Sequence, residues 1–131
     1  MKLDHVGIAV KSIETAVSLY GAYLGLRGIA REELPGEHVR VAFFDAGGAR
    51  IELLEPIGGE GPLARFLATR GEGMHHVAFA VEDLQTALTQ AAEAGYQPVN
   101  LQPRRGSGGR LIAFLQPKDT LGVLVELVQS S

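Results

Sequence analysis

Hydrophobic and polar residues follow the same order twice along the chain. Residues 5–10 read His-Val-Gly-Ile-Ala-Val, and residues 76–81 read His-Val-Ala-Phe-Ala-Val. Alternating large and small residues predict a strand, because successive side chains point to opposite faces of a sheet. In each run the large apolar residues share one face, and the histidine shares the other face with small residues. We expect the first face to pack against a helix and the second to leave room for other groups.

A helical pattern follows each of these strands. Apolar residues recur at helical spacing from Ile13 to Leu24 and again from Leu84 to Ala91, and each pattern stops near a glycine. A third helix is predicted at 62–70, where Pro62 suits the first turn.

Three strand-like segments follow each of the first two predicted helices, separated by turns rich in glycine or proline. They lie near 27–33, 38–45, 49–54, 97–101, 110–116 and 122–129. The chain is therefore predicted to be one domain of two βαβββ repeats, about 1–57 and 74–131, with a linker helix at 62–70. The predicted fold class is α+β, in which the two units form a cupped eight-stranded mixed sheet with the helices outside.

Composition narrows the possible functions. The 131 residues are 46% hydrophobic and 21% charged, with a net charge of -3, which is typical of a globular domain and argues against nucleic acid or an anionic membrane as a partner. The chain contains no cysteine, so thiolate metal sites and disulfides are excluded.

No apolar run approaches the roughly 18 residues of a membrane span. Without a signal-peptide pattern, a cytoplasmic location is expected.

Two glutamates stand in apolar strands, where glutamate is rarely buried unless it is paired or binds a metal. Glu52 interrupts the last predicted strand of the first repeat, and Glu126 interrupts the last strand of the second. Each repeat thus supplies one histidine on its first strand, His5 or His76, and one glutamate on its last. We predict that these four side chains bind one divalent metal ion.

The predicted ligand set contains only nitrogen and oxygen donors, which suit Co, Ni, Mn, Fe or Zn. One histidine in a β-strand, taken alone, more often has a structural role, and one glutamate in a β-strand usually points to solvent. The recurrence of both at matched positions favours the metal site. His75 is predicted to face away from the site, His38 is given no firm role, and Glu55 is predicted to be solvated.

These residues lie in motifs that resemble the vicinal oxygen chelate superfamily and, within it, the methylmalonyl-CoA epimerase family. The resemblance covers nearly the whole chain. It rests on the segments 4–10, 51–56, 71–79, 108–109, 114–118 and 122–127. The run Glu-Gly-Met-His-His at 72–76 and the ending Gly-Val-Leu-Val-Glu-Leu are the more specific to the epimerases. The sequence departs from the family pattern at Gln116, where a histidine is usual, and at Val41, where some members carry an acidic residue proposed as a second base.

The resemblance implies the same four metal ligands, a preference for cobalt and a homodimer, which the uncovered sheet edges also favour. It implies interconversion of the 2R and 2S forms of methylmalonyl-CoA through an enolate stabilised by the metal. Glu126 is predicted to serve as ligand and base, with Glu52 or a bound water opposite. The acyl-CoA phosphates are predicted to meet cations near the glycine-rich segment, although an ordinary exposed loop is an equal alternative. These cations are Arg104, Arg105, Arg110 and Lys118.

Three other functions would share parts of this pattern. A lactoylglutathione lyase would use the same four ligands for a similar proton transfer. A non-catalytic module that binds small molecules would share the fold, but such modules commonly lack the ligands. A ring-cleaving dioxygenase needs two histidines and one carboxylate on iron, and a fourth protein ligand at Glu52 leaves it less room.

Overall fold

The computed structural model describes residues 1–100 and 102–130. The described strands are β1 (Lys2–Ala9), β2 (Arg27–Leu34), β3 (Val39–Asp45), β4 (Arg50–Pro56), β5 (Gly73–Val81), β6 (Arg104–Arg105), β7 (Leu111–Leu115) and β8 (Val125–Gln129). The described α-helices are α1 (Ile13–Val17), α2 (Pro62–Arg70) and α3 (Leu84–Glu93). A π-helical segment, Ser18–Tyr23, continues α1. No helix in this part of the chain is long and apolar enough to cross a membrane.

The strands form one eight-stranded sheet in the order β2-β3-β4-β1-β5-β8-β7-β6. The sheet is mixed, because β5 and β8 run parallel whereas β7 and β8 run antiparallel. The predicted fold class, α+β with an eight-stranded mixed sheet, is confirmed. By its internal contacts the chain divides into two compact units, one of residues 6–75 and one of residues 1–5 with 76–131. The description as two βαβββ repeats in a single domain stays a prediction.

In the unit of residues 6–75, the two faces of the sheet have different neighbours. Leu53 and Phe44 pack with Ile13 of α1 on one face, together with Ile8 and Val10, whose side of the first strand was predicted to meet a helix. The other face carries Val41, Phe43 and Leu54 and packs against Leu63 of α2. The side chain of Ser12 accepts a hydrogen bond from the Thr15 N–H and so satisfies a donor at the start of α1.

In the unit of residues 1–5 and 76–131, the two faces of the sheet also differ, but the described clusters place a helix on one of them. Leu84 and Leu88 of α3 pack against Ala113 and Leu127. The opposite face carries a smaller apolar cluster of Ala78, Ile112 and Val128, with Phe114 beside it. Asp83 caps α3 by accepting a hydrogen bond from the Thr86 N–H.

The prediction of a strand near 97–101 was wrong for the described residues 97–100, and Leu101 lies outside the described part. Pro98 forms one isolated bridge with Leu115, and the strand that continues the sheet is the short β6. The residues that flank Pro98 form this bridge: the Val99 N–H donates to the Phe114 carbonyl over 2.7 Å, and the Gln116 N–H donates to the Gln97 carbonyl over 2.8 Å.

The first helix also differs from its predicted course. The α-helical part ends at Val17, and the Leu24 N–H donates to the Leu19 carbonyl over 2.9 Å, which is the wider spacing of a π-helix. Glu55, predicted to be solvated, is instead partly buried. It accepts a hydrogen bond of 2.7 Å from the Ile13 N–H and pairs with Arg40. The first N–H groups of a helix have no partner within the helix, so the Ile13 N–H at the start of α1 is available to bind the Glu55 carboxylate.

The packing of α1 on the sheet leads to a stability prediction. Leu53 is 0% exposed, so Leu53→Ala should lower the free energy of unfolding by about 2–5 kcal/mol through lost burial and the cavity left behind. Leu19→Ala is a control because Leu19 is 48% exposed, and it should have a much smaller effect. Urea unfolding of both variants measures the difference. Equal losses would contradict the assignment of Leu53 to the core.

Candidate metal centre

Three of the four predicted ligands converge within the unit of residues 1–5 and 76–131. His5 lies on β1, His76 on β5 and Glu126 on β8, and the parallel register of β5 and β8 sets Glu126 beside Ala78. The small Ala78 leaves space that a larger neighbour would fill. The three polar side chains are 4–5% exposed. Such burial of ionisable groups is costly unless they bind one another or an ion.

The donor atoms of these residues are close together. The Nε2 atoms of His5 and His76 are 3.2 Å apart. The Oε1 atom of Glu126 lies 3.1 Å from Nε2 of His76 and 3.6 Å from Nε2 of His5. Donors bound to a first-row metal at about 2.1 Å, with angles near 90–110°, are roughly 3.0–3.4 Å apart. Two of the three distances lie in this range, and the third, 3.6 Å between Glu126 and His5, needs only a wider angle at the ion, so the triangle of donor atoms is suited to one such ion.

In the unit of residues 6–75, Glu52 occupies the position that corresponds to Glu126 in the other unit. It lies on β4, is 5% exposed, and stands opposite Phe43 on β3. Glu126 stands opposite Phe114 in the same way on β8 and β7. His5, Glu52 and His76 are buried residues that each offer one metal-binding atom. The role of Glu52 as fourth ligand stays a prediction.

Glu126 is in an environment that favours its charged form. Burial raises the pKa of its carboxyl group, but hydrogen bonds and charges from His5 and His76 outweigh that effect. The pKa of Glu126 therefore lies below its ordinary value. An ionised carboxylate at this place can bind a cation or accept a proton.

The second ring nitrogen of His5 has its own partner. Nδ1 lies 2.6 Å from Oδ2 of Asp4, and Oδ1 of Asp4 accepts a hydrogen bond of 2.9 Å from Nη2 of Arg110. Nε of Arg110 donates to the Gln129 carbonyl over 3.2 Å. Sequence analysis missed Asp4, although its place directly before His5 could have signalled it. The guanidinium of Arg110, predicted to meet phosphates, is instead directed to Asp4 and the end of β8.

The aromatic side chain of Phe114 lies between a predicted metal ligand and the predicted substrate-binding loop. Phe114 packs edge-on against the His76 ring with centroids 5.6 Å apart, and the guanidinium carbon of Arg104 lies 5.5 Å from the Phe114 ring centre. Arg105 donates to the Gly109 carbonyl, whereas Lys118 is exposed. Of the predicted substrate-binding cations, Arg104 is therefore the one that a described contact, through Phe114, links to a predicted metal ligand.

The remaining histidines have other neighbours. His75 packs against Phe66 of α2 with ring centroids 4.8 Å apart, consistent with the prediction that it faces away from His76. His38 adopts a left-handed backbone conformation in the turn before β3. A Cβ atom at Gly61 would lie 3.2 Å from the His38 Cβ, so this turn packs closely against the start of α2.

Comparison with known proteins identifies relatives whose alignments cover nearly the whole chain. The family model of the glyoxalase/bleomycin resistance protein/dioxygenase superfamily matches residues 4–114. The uncharacterized protein YqjC of Bacillus subtilis is 42% identical over 98% of this chain and 91% of its own length. The ethylmalonyl-CoA/methylmalonyl-CoA epimerase of Cereibacter sphaeroides is 38% identical over 98% of this chain and 97% of its own.

A solved structure supports the same relationship. A variant of Streptomyces coelicolor methylmalonyl-CoA epimerase, in complex with 2-nitronate-propionyl-CoA, is 36% identical and superposes with a TM-score of 0.93. The alignment covers 100% of this chain and 98% of that one. At this identity and coverage, the likeness extends to the family as well as to the fold.

The lowered pKa of Glu126 predicts how stability depends on pH. A carboxyl group with a lower pKa in the folded protein stabilises the fold above its unfolded value, and this contribution is lost as the pH falls through the folded value. Metal-free protein should therefore lose stability below about pH 4.5, the ordinary value for glutamate. Glu126→Gln should be less stable at neutral pH and should show a smaller loss on acidification.

Urea unfolding of metal-free protein between pH 7 and pH 3 measures this dependence. Glu93→Gln, which changes an exposed glutamate at the end of α3, serves as the matched control and should follow the wild type. If Glu126→Gln had the same pH dependence as the wild type, the inferred charge of Glu126 would be wrong.

Proposed function

Because the chain belongs to the glyoxalase/bleomycin resistance/dioxygenase superfamily and to its methylmalonyl-CoA epimerase family, we propose that it interconverts (2R)- and (2S)-methylmalonyl-CoA with the help of a divalent metal ion. The observation that carries the proposal is the convergence of His5, His76 and Glu126 at 3.1–3.6 Å in a buried place. Relatives of similar length are named as epimerases of this substrate, and a related structure holds an acyl-CoA analogue.

The metal is proposed to be held by His5, His76 and Glu126 together with Glu52. The burial of Glu52 and its position in the repeat, which matches that of Glu126, support its inclusion, because a glutamate is rarely buried unless it is paired or binds a metal. Two imidazoles and two carboxylates would neutralise a divalent ion. Cobalt is the proposed ion, following the family resemblance, and Ni, Mn, Zn or Fe would accept the same donors.

The reaction requires removal of the C2 proton and its return from the other face. A bound divalent ion would supply a Lewis acid for the negative charge that develops on the thioester oxygen. Glu126 is proposed as the base: its carboxylate, held ionised by the neighbouring imidazoles, takes the proton as the C2–H bond breaks. Glu52, after taking up a proton from solvent, or a water molecule then delivers a proton to the opposite face of C2. The proton held by Glu126 passes to solvent, which returns both groups to their starting state.

Val41 limits the choice of the second base. It lies on β3, is 0% exposed, and stands opposite Leu54 of β4. An aliphatic side chain cannot transfer a proton, so this strand position supplies no base. Glu52, which lies two residues before Leu54 and shares its strand face, is the carboxylate that remains for this role.

The acyl-CoA phosphates are proposed to bind near the loop between β6 and β7. Arg104 beside Phe114 supports this, as do Arg105 at the same short strand and the exposed Lys118. A guanidinium is well suited to anionic oxygens because it offers several N–H donors in one plane. The homodimer and the cytoplasmic location remain predictions from the sequence.

The proposed reaction predicts solvent deuterium exchange at C2 of methylmalonyl-CoA. Cobalt-loaded wild-type protein in D₂O should incorporate deuterium at C2, and Glu126→Gln should slow incorporation by about 10²–10⁴-fold, the usual effect of removing a general base. Mass spectrometry of the recovered thioester gives the rate, and the cobalt content of each sample shows whether metal loss contributes. Glu93→Gln serves again as the control.

Two outcomes would contradict this proposal in different ways. Wild-type exchange in metal-loaded Glu126→Gln would remove Glu126 from proton transfer and leave it as a ligand. If fully loaded wild-type protein incorporated no deuterium, the epimerase assignment would be wrong. The hemithioacetal of methylglyoxal and glutathione would then be the next substrate to assay, because a probable lactoylglutathione lyase of Synechocystis is 27% identical.

The proposed ligand set predicts how variants bind metal. His5→Ala should weaken Co²⁺ binding by more than the roughly 10–100-fold typical of changes next to a ligand, and exchange activity should partly return at high Co²⁺ concentration. His75→Ala is the matched control, because this neighbouring histidine packs on Phe66 and should leave Co²⁺ affinity unchanged. Calorimetric titration of metal-free protein measures both. Equal affinities for the two variants would exclude His5 as a ligand.

A further inference from the structure

We propose that Asp4 and Arg110 are positioning residues that hold His5 in the orientation and tautomer needed for metal binding. This inference rests on the proposed metal site and extends it to residues that do not themselves contact the ion. The evidence is the continuous set of hydrogen bonds from the Gln129 carbonyl through Arg110 and Asp4 to Nδ1 of His5.

The chemistry of the imidazole gives Asp4 its role. A neutral imidazole carries its proton on one ring nitrogen and has a lone pair on the other. The Asp4 carboxylate lies 2.6 Å from Nδ1, so that nitrogen donates the proton in the bond. Nε2 is then the ring nitrogen left to bind the ion, beside Nε2 of His76 and Oε1 of Glu126, which lie 3.2 and 3.6 Å away. A carboxylate partner also makes the ligating nitrogen more basic.

Arg110 fixes Asp4 in turn. Its side chain is 23% exposed and that of Asp4 is 14% exposed, so solvent screens the pair only in part. Nη2 of Arg110 binds one oxygen of Asp4 and leaves the other for His5, while Nε is held by the Gln129 carbonyl. Arg110 directly precedes β7 and Gln129 ends β8, so two strands of the same unit anchor the carboxylate.

A purely structural role for the pair predicts a different result. A structural ion pair would affect the unfolding free energy of the metal-free protein and leave metal affinity unchanged. A positioning role predicts weaker metal binding even where the fold is intact. The test must therefore measure metal affinity, the tautomer of His5 and stability separately.

The experiment is calorimetric titration of metal-free protein with Co²⁺, combined with ¹⁵N NMR of the histidine rings. Asp4→Asn should raise the dissociation constant for Co²⁺ by about 10–100-fold, and Arg110→Gln should raise it by a smaller factor. The double variant should bind about as weakly as Asp4→Asn, because both residues act through one imidazole. In the metal-free wild type, Nδ1 of His5 should carry a proton, whereas in Asp4→Asn the occupancy of Nδ1 by a proton should fall.

Asp45→Asn is the matched control, because Asp45 pairs with Arg27 and the Gly47 N–H instead of with a histidine. It should leave both Co²⁺ affinity and the His5 tautomer unchanged. Should Asp4→Asn fail to fold, Arg110→Gln provides the same two readouts.

The outcomes separate this inference from the proposed function. Wild-type affinity and a wild-type His5 tautomer in folded Asp4→Asn would overturn the positioning role while leaving the metal site intact. A wild-type protein that binds no Co²⁺ would overturn the proposed function and the positioning role together.

Discussion

A carboxylate inside an apolar sheet must be matched by positive charge, and this constraint shapes the unit that contains Glu126. Transferring an isolated ionised carboxylate from water to a nonpolar interior is prohibitively costly, so such groups are neutralised or paired. Glu126 is paired with His5 and His76, and its pKa lies below the ordinary value because the imidazole hydrogen bonds and charges outweigh burial. The same arrangement that satisfies the carboxylate brings together the nitrogen and oxygen atoms that are proposed to bind the metal.

The fold permits this arrangement because each unit uses the two faces of its strands differently. One face packs against a helix, as Leu127 does against α3 and Leu53 does against α1. The other face alternates with it along the same strands and carries Glu126 or Glu52. A shift in register by one residue would exchange the two faces, and the side chains of Glu52 and Glu126 would then point to the faces that pack against α1 and α3. The packing of the helices therefore also determines the direction of the functional side chains.

Much of this organisation could be predicted from the sequence, because it depends on periodicity and repetition. The repeated histidine strands, the two faces and the linker helix at Pro62–Arg70 were all visible as patterns. Features that depend on tertiary contacts were not. Asp4 and Arg110 meet across 106 residues of sequence, and Glu55 meets the start of α1 across 42. Local pattern carries no information about such pairs, so charged residues of this kind were interpreted as solvated or as substrate contacts.

The central claim is that His5, His76 and Glu126 bind one divalent ion through nitrogen and oxygen atoms alone. X-ray absorption spectroscopy of protein loaded with one equivalent of Co²⁺ tests it most directly. The account predicts a first shell of nitrogen and oxygen at about 2.0–2.2 Å, with the outer-shell scattering of two imidazole rings. A bound ion without imidazole scattering, or a protein that retains no cobalt after loading, would contradict it.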